Sequence, residues 1–218
     1  MIAKVNGVEL YYEKSGEGRP LLMLHGNGED HTIFNEAVRE LRGDFCCYTV
    51  DSRGHGRSSR VPALHYADMA ADMLALLEAL DLRGAVFYGF SDGGIVGLLT
   101  AAKSERITTL IVSGANLSPK GVTKKLRAQL WLLNKLKPDE KLALMLREPQ
   151  IDDAALHSIR AETLVLAGTG DLILPEETRH IAAAIPNAQL QFVEGEDHGS
   201  YIVHSTKIAG IIRDFVLG

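Results

Sequence analysis

Short, continuous apolar runs alternate along this chain with stretches whose apolar residues recur every three or four positions. "PLLMLHG" (Pro20–Gly26), "FCCYTVD" (Phe45–Asp51), "GAVFYGFS" (Gly84–Ser91), "ITTLIVSG" (Ile107–Gly114), "TLVLAGTGD" (Thr163–Asp171) and "AQLQFVEG" (Ala188–Gly195) end in glycine or polar residues. Such runs predict strands buried on both faces of a sheet. "GVELYYEKSG" alternates as a half-buried strand does. In "HYADMAADMLALLEAL", Met69, Met73, Leu76, Leu77 and Leu80 fall on one helical stripe, and in "STKIAGIIRDFVLG" so do Ile208, Ile211, Ile212 and Phe215. Strands alternating with helices predict an α/β fold: a mostly parallel central sheet flanked by helices.

The rhythm breaks between Asn116 and about Arg160, where helical patterns follow one another with no strand between them. "LRAQLWLLNKL" puts Leu126, Leu130, Leu133 and Leu136 near one face, and Pro138 and Pro149 punctuate the segment. The expectation is a single domain, 1–218, carrying a helical cap insertion at 116–160. Insertions of this kind often cover a site.

Composition narrows the reading. Apolar residues make up 46% of the 218, and the net charge is −5, so the total charge gives no argument for a nucleic acid or membrane partner. The only cysteines, Cys46 and Cys47, are adjacent in a strand pattern and point to opposite faces, so a mutual disulfide is not expected. The N-terminus has no apolar leader pattern, and no apolar run approaches about 18 residues. These features predict a soluble, cytoplasmic protein. The histidines other than His198 (His25, His31, His55, His65, His157, His180, His204) show no metal-ligand spacing with carboxylates or cysteines. Neither a metal nor an organic cofactor is expected.

"GFSDGG" (Gly89–Gly94) follows directly on an apolar strand. A strand-to-helix turn that displays a nucleophile bends sharply and crowds the residues two before and two after it. Gly89 and Gly93 hold those positions around Ser91. Asp92 as nucleophile would put Phe90 at a crowded position, so the register favours Ser91. Taken alone, the pattern is weak in a glycine-rich chain, where a glycine turn with an incidental serine is the lesser alternative. "LHGNG" (Leu24–Gly28) also follows a strand, and its turn can aim the backbone N–H of Asn27 at a developing oxyanion; the N–H of Asp92 would be the second donor. Asp171 follows a strand, with Pro175 opening the next helix, and His198 lies between the last strand and the last helix. Singly, Asp171 reads as a helix N-terminal charge and His198 as a loop histidine. Together, the order Ser91, Asp171, His198 at strand ends is what an activated serine requires.

With "HGNG", "DSRGHGRS", "GFSDGG", "GTGDLILP" and "EDHGSY" in this order, the chain resembles the α/β-hydrolase-fold family over nearly its whole length. The resemblance implies Ser91 as nucleophile, His198 as general base, Asp171 as its orienting acid, and backbone donors at Asn27 and Asp92. It makes "DSRGHGRS" (Asp51–Ser58) chiefly structural and His55 not catalytic. The expected activity is serine hydrolysis of small acyl esters, thioesters or lactones through an acyl-enzyme. Alternatives are C–C cleavage of dicarbonyl compounds, a perhydrolase-like reaction, or slow-turnover ligand binding on the same fold. Asp197 and Glu196 are the other acids near His198 in the chain.

Two finer expectations concern the insertion. Its shortness predicts a small acyl group, with Trp131, Leu132 and Leu133 filling space above the serine. Between Asn116 and Gln150 eight basic residues accompany three acidic ones, +5 in a chain of −5, which would draw in anionic substrates if the segment covers the site.

Overall fold

A computed structural model describes residues 1–218. In chain order the elements are β1 (Ile2–Val5), β2 (Val8–Ser15), β3 (Arg19–Leu24), α1 (Asn35–Leu41), β4 (Phe45–Val50), α2 (Tyr66–Ala79), β5 (Ala85–Phe90), α3 (Asp92–Ala101) and β6 (Ile107–Ser113). Then come α4 (Lys124–Leu136), α5 (Glu140–Arg147), α6 (Asp153–His157), β7 (Glu162–Gly168), α7 (Pro175–Ala184), β8 (Ala188–Val193) and α8 (Lys207–Leu217). They form one eight-stranded sheet in the order β1-β2-β4-β3-β5-β6-β7-β8. Pairing is antiparallel for β1 with β2 and β2 with β4, and parallel from β4 to β8.

The apolar runs form two cores because successive strand residues point to opposite faces. On β3, Leu22 and Leu24 join α2 and α3 on one face, while Leu21 and Met23 join α1 and α8 on the other. Cys46 and Cys47 divide between the same two cores, and both are free thiols. Asn6 and Gly7, both at positive φ, turn β1 into β2, a hairpin the strand pattern did not signal. The expectation for "AQLQFVEG" needs correcting. β8 is an edge strand, with Gln189, Leu190 and Gln191 exposed, because nothing pairs beyond it.

The loop after β4 is built as a polar knot. Asp51, fully buried, accepts from the His31 and Arg57 backbone N–H groups, each at 2.7 Å. Its Oδ1 also faces His31 Nδ1 at 2.7 Å. Arg53 grips the buried Asp72 of α2 through Nε (2.7 Å) and Nη2 (2.6 Å). Ser52 donates its N–H to His25 Nε2 at 3.1 Å, which ties this loop to the turn after β3. His55 is buried, and burial pushes its imidazole pKa down to about 4, so it stays neutral there.

Between β6 and β7 stand α4, α5 and α6. The Thr123 side chain caps α4 by accepting from Leu126 N–H. Hydrogen bonds from Thr123 N–H to Leu172 O and from Leu174 N–H to Gly121 O anchor the start of the segment beside α7. Only the first half of the expected α4 stripe is covered. Leu130 is buried and Leu126 half-buried, but Leu133 and Leu136 are exposed, because the second half of the helix runs beyond the body beneath it. No helix is long and apolar enough to cross a membrane.

Candidate active site

Strands β3, β5, β7 and β8 end at the same edge of the sheet, and each hands a residue to one cleft. The turn after β5 is the tightest. Ser91 adopts φ 53° and ψ −115°, a conformation L-residues rarely occupy. The reason is visible at its flanks. A Cβ on Gly89 would lie 2.1 Å from Gly93 O, and one on Gly93 would lie 2.1 Å from Leu24 O. Any side chain at either place forces the turn open. Ser91 N–H donates to Ser113 O at 2.7 Å, which pins the turn to β6.

The structure brings Ser91, His198 and Asp171 together. Ser91 Oγ lies 3.0 Å from His198 Nε2, and His198 Nδ1 lies 2.7 Å from Asp171 Oδ1. An ionised carboxylate only accepts, so Nδ1 carries the proton and Nε2 is left to accept from the serine hydroxyl. The Asp171 carboxylate is nearly inaccessible, and its Oδ1 also accepts from Ile173 N–H at 2.9 Å, which fixes its direction. Phe90 packs its ring 5.0 Å from the imidazole. The rival acids point elsewhere. Asp197 accepts from the N–H groups of Gly199 and Ser200, which hold its carboxyl below the usual range, and Glu196 pairs with Lys207.

Gly114 is a site residue the motifs did not single out. It sits at φ +62°, and a Cβ there would lie 2.7 Å from His198 Cε1. The "SGANLS" stretch therefore matters for the space it leaves rather than for an acid. Its Asn116 turns its amide to Ser118 O.

Neither proposed oxyanion donor is used internally: the backbone N–H groups of Asn27 and Asp92 have no protein acceptor. The two residues are joined through their side chains instead. Asp92 is 5% exposed, and its carboxylate accepts from Tyr66 Oη at 2.7 Å and from Asn27 Nδ2 at 2.9 Å. Burial pushes its pKa up, against the pull of those two donors. Asn27 Nδ2 also donates to Lys141 O of α5 at 3.2 Å, so the network reaches the insertion. Tyr66 and its role here carried no signal in the sequence beyond an aromatic residue opening a helix.

The cleft has a mouth of about 270 Å³ lined by Glu29, Phe90, Leu126, Leu130, Leu142 and Met145, with Ser91 and His198 at its floor. A narrower space of about 20 Å³ lies beside it, against Tyr66, Asp92, Val122 and Glu148. Trp131, Leu132 and Leu133 are not in either lining, a correction to the expectation that they fill the space above Ser91. Each residue of an α-helix turns about 100° from the last, so with Leu130 facing the cleft Trp131 and Leu132 face solvent, while Leu133 keeps the inward angle but lies past the body beneath the helix.

The charge expectation is also revised. The linings carry Glu29, Asp92 and Glu148 and no lysine or arginine side chain. Glu29 accepts from Gly26 N–H at 2.9 Å, and burial raises its pKa. Glu148 accepts from His65 Nδ1 (2.6 Å) and Tyr66 N–H (3.0 Å). The basic residues Lys120, Arg127 and Arg147 surround a separate outer cleft of about 590 Å³.

One trio has metal-ligand proximity: donor atoms of Asp30, His31 and Asp51 lie within 4.8 Å of one another. The fold, not the spacing, assembles it. Its oxygens are already committed, Asp51 to His31 and Arg57 and Asp30 to Thr32, so it reads as the loop knot described above.

Residues 19–137 match the model of a family described as alpha/beta hydrolase fold. The chain is 27% identical to the AB hydrolase superfamily protein YisY of Bacillus subtilis, with 95% of each chain covered. It is 28% identical to a putative carbamate hydrolase, RutD, of Pseudomonas syringae, over 90% of this chain and 93% of the relative. Among solved structures, an esterase (EaEST) from Exiguobacterium antarcticum superposes with a TM-score of 0.84 at 20% identity, covering 100% of this chain and 99% of that one.

The polar link between Asp92 and Asn27 generates a prediction. Asp92→Asn replaces one accepting oxygen with an N–H₂ that accepts nothing, so one of the two bonds, from Tyr66 Oη to Oδ1 or from Asn27 Nδ2 to Oδ2, is lost. Ester hydrolysis should show kcat reduced by about tenfold or more with KM little changed, if the loosened residues are the proposed oxyanion donors. A change confined to KM would contradict this role.

Proposed function

We propose that this chain, which belongs to the α/β-hydrolase-fold family, is a serine hydrolase of small neutral acyl esters, thioesters or lactones. The observation that carries the reading is the unbroken path from Ser91 Oγ through the His198 imidazole to the buried Asp171 carboxylate. The family makes it a hydrolase; the substrate class is our reading.

A neutral serine hydroxyl is a weak nucleophile. In the proposed mechanism, His198 Nε2 takes the Ser91 proton as Oγ attacks the acyl carbon. The carbonyl π pair moves to oxygen, and the N–H groups of Asn27 and Asp92 receive that oxyanion. The N-terminal end of α3 adds favourable potential at the same point. The tetrahedral intermediate collapses, the leaving group takes the proton from His198, and an acyl-Ser91 ester remains. Water then gives its proton to His198 and attacks the same carbon; the second tetrahedral intermediate collapses, the bond from Ser91 Oγ to that carbon breaks, Oγ takes the proton back from His198, and the acid is released. Asp171 holds the Nδ1–H tautomer and stabilises the imidazolium in both halves.

The size and charge of the cleft support the substrate class. Its narrow inner space favours a short acyl chain. Three carboxyl groups in the linings, with no lysine or arginine beside them, disfavour a substrate carboxylate or phosphate.

Against p-nitrophenyl acetate, Ser91→Ala should fall to background. Asp171→Asn should lose a factor on the order of 10³ to 10⁴ in kcat through the wrong imidazole tautomer. A loss below about tenfold in Asp171→Asn would assign the orienting role to another acid. A second comparison tests the lining. The kcat/KM for p-nitrophenyl butyrate should exceed that for the p-nitrophenyl hemisuccinate by at least about tenfold at low salt, from like-charge contact. Equal values, or a preference for the anion, would mean the basic outer face governs selection.

A further inference from the structure

We propose that the outward face of α4 docks on an anionic lipid surface, with the cap lying between that surface and Ser91. Four large apolar side chains on this one helix are exposed: Trp131 by 56%, Leu132 by 50%, Leu133 by 53% and Leu136 by 74%. The other exposed large apolar residues, Met1, Ile2, Leu172, Leu190 and Leu217, belong to separate parts of the chain. Lys124, Lys125 and Lys135 are exposed on the same helix, and Lys135 Nζ lies 5.0 Å from the centre of the Trp131 ring. Arg127 is half-buried and Lys137 follows directly. From Lys124 to Lys137 there is no acidic residue. The next acids in the sequence, Asp139 and Glu140, stand beyond its C-terminal end, where Glu140 pairs with Arg147.

A helix that buries one leucine stripe and presents tryptophan and leucines among lysines has the composition of an interfacial helix. Charge selects the occupant. Two copies joined through this face by a two-fold axis would set lysines against lysines, whereas an anionic lipid surface complements them. The chain's total of −5 does not oppose this. At physiological salt the Debye length is about 8 Å, so a surface touching a helix of roughly 20 Å feels mainly the charge of that helix. Local charge on α4, not the total, therefore governs contact with a membrane surface.

Trp131 is the only tryptophan, so its emission reports on this face alone. The full chain is titrated at low salt with vesicles of equimolar phosphatidylglycerol and phosphatidylcholine, and with vesicles of phosphatidylcholine only. Binding is read by Trp131 emission and by co-sedimentation. The expected result is a blue shift and co-sedimentation with the anionic vesicles alone, reversed by added salt. Lys124→Glu/Lys125→Glu/Lys135→Glu and Leu132→Ser/Leu136→Ser should each lower partitioning at least about tenfold while keeping the wild-type melting temperature. No binding at low salt, or equal binding to both vesicles, would overturn the proposal. So would a concentration-dependent dimer without lipid that the same substitutions abolish, which assigns the face to a second copy. The readout is binding, so either outcome leaves the hydrolase reading to its own test.

Discussion

The close contact of Gly89 with Gly93 is the constraint on which the site depends. It allows Ser91 a backbone conformation that costs on the order of 1–3 kcal/mol for a residue with a side chain. The cost is offset by parts that hold the turn from outside: the bond from Ser91 N–H to Ser113 O and the seat of Gly93 against Leu24 O. One geometric decision then sets several others. It sets Ser91 at the end of β5 and starts α3 at the next residue, Asp92. The turn after β3 comes close enough that a Cβ on Gly26 would lie 3.1 Å from Ser91 Cβ.

Around that point, polar groups do the positioning and apolar groups do the enclosing. The pair of cores fixes where strands β3, β5, β7 and β8 end, and so where Asn27, Ser91, Asp171 and His198 stand. The cap is fastened by hydrogen bonds, Asn27 to Lys141 O, Tyr66 N–H to Glu148 and Arg147 to Leu64 O, and by Leu144, Leu156 and Ile159, which are buried in the core that also holds α2 and α3. Its inner residues Leu126, Leu130, Leu142 and Met145 close the cleft. The carboxylate of Asp92 lies at the junction, holding a residue of the proposed oxyanion site and, through it, a backbone carbonyl of the cap.

The core sheet was legible because its strands are continuous apolar runs, and that signal is local. The same holds for the order of Ser91, Asp171 and His198, which needs only strand ends and glycine spacing. What was not legible depends on contacts between distant segments. Gly114 is one glycine among 21, until the imidazole of His198 is seen to occupy its missing side chain. Tyr66 and Asp92 are 26 residues apart and meet only in the fold. Helical periodicity placed Leu133 and Leu136 on the buried stripe correctly by angle, yet the body beneath α4 ends before them. Net charge counts gave the cap its sign but not its direction, and its basic groups face outward.

The central claim is that Ser91 becomes covalently attached to the acyl group. A fluorophosphonate reacts with a serine only when its hydroxyl is activated and its oxyanion supported, and the modified peptide identifies the residue by mass. The account predicts stoichiometric labelling of the peptide containing Gly89–Gly94 at Ser91, with no label in Ser91→Ala. Labelling of another residue, or ester hydrolysis that persists in Ser91→Ala, would contradict it.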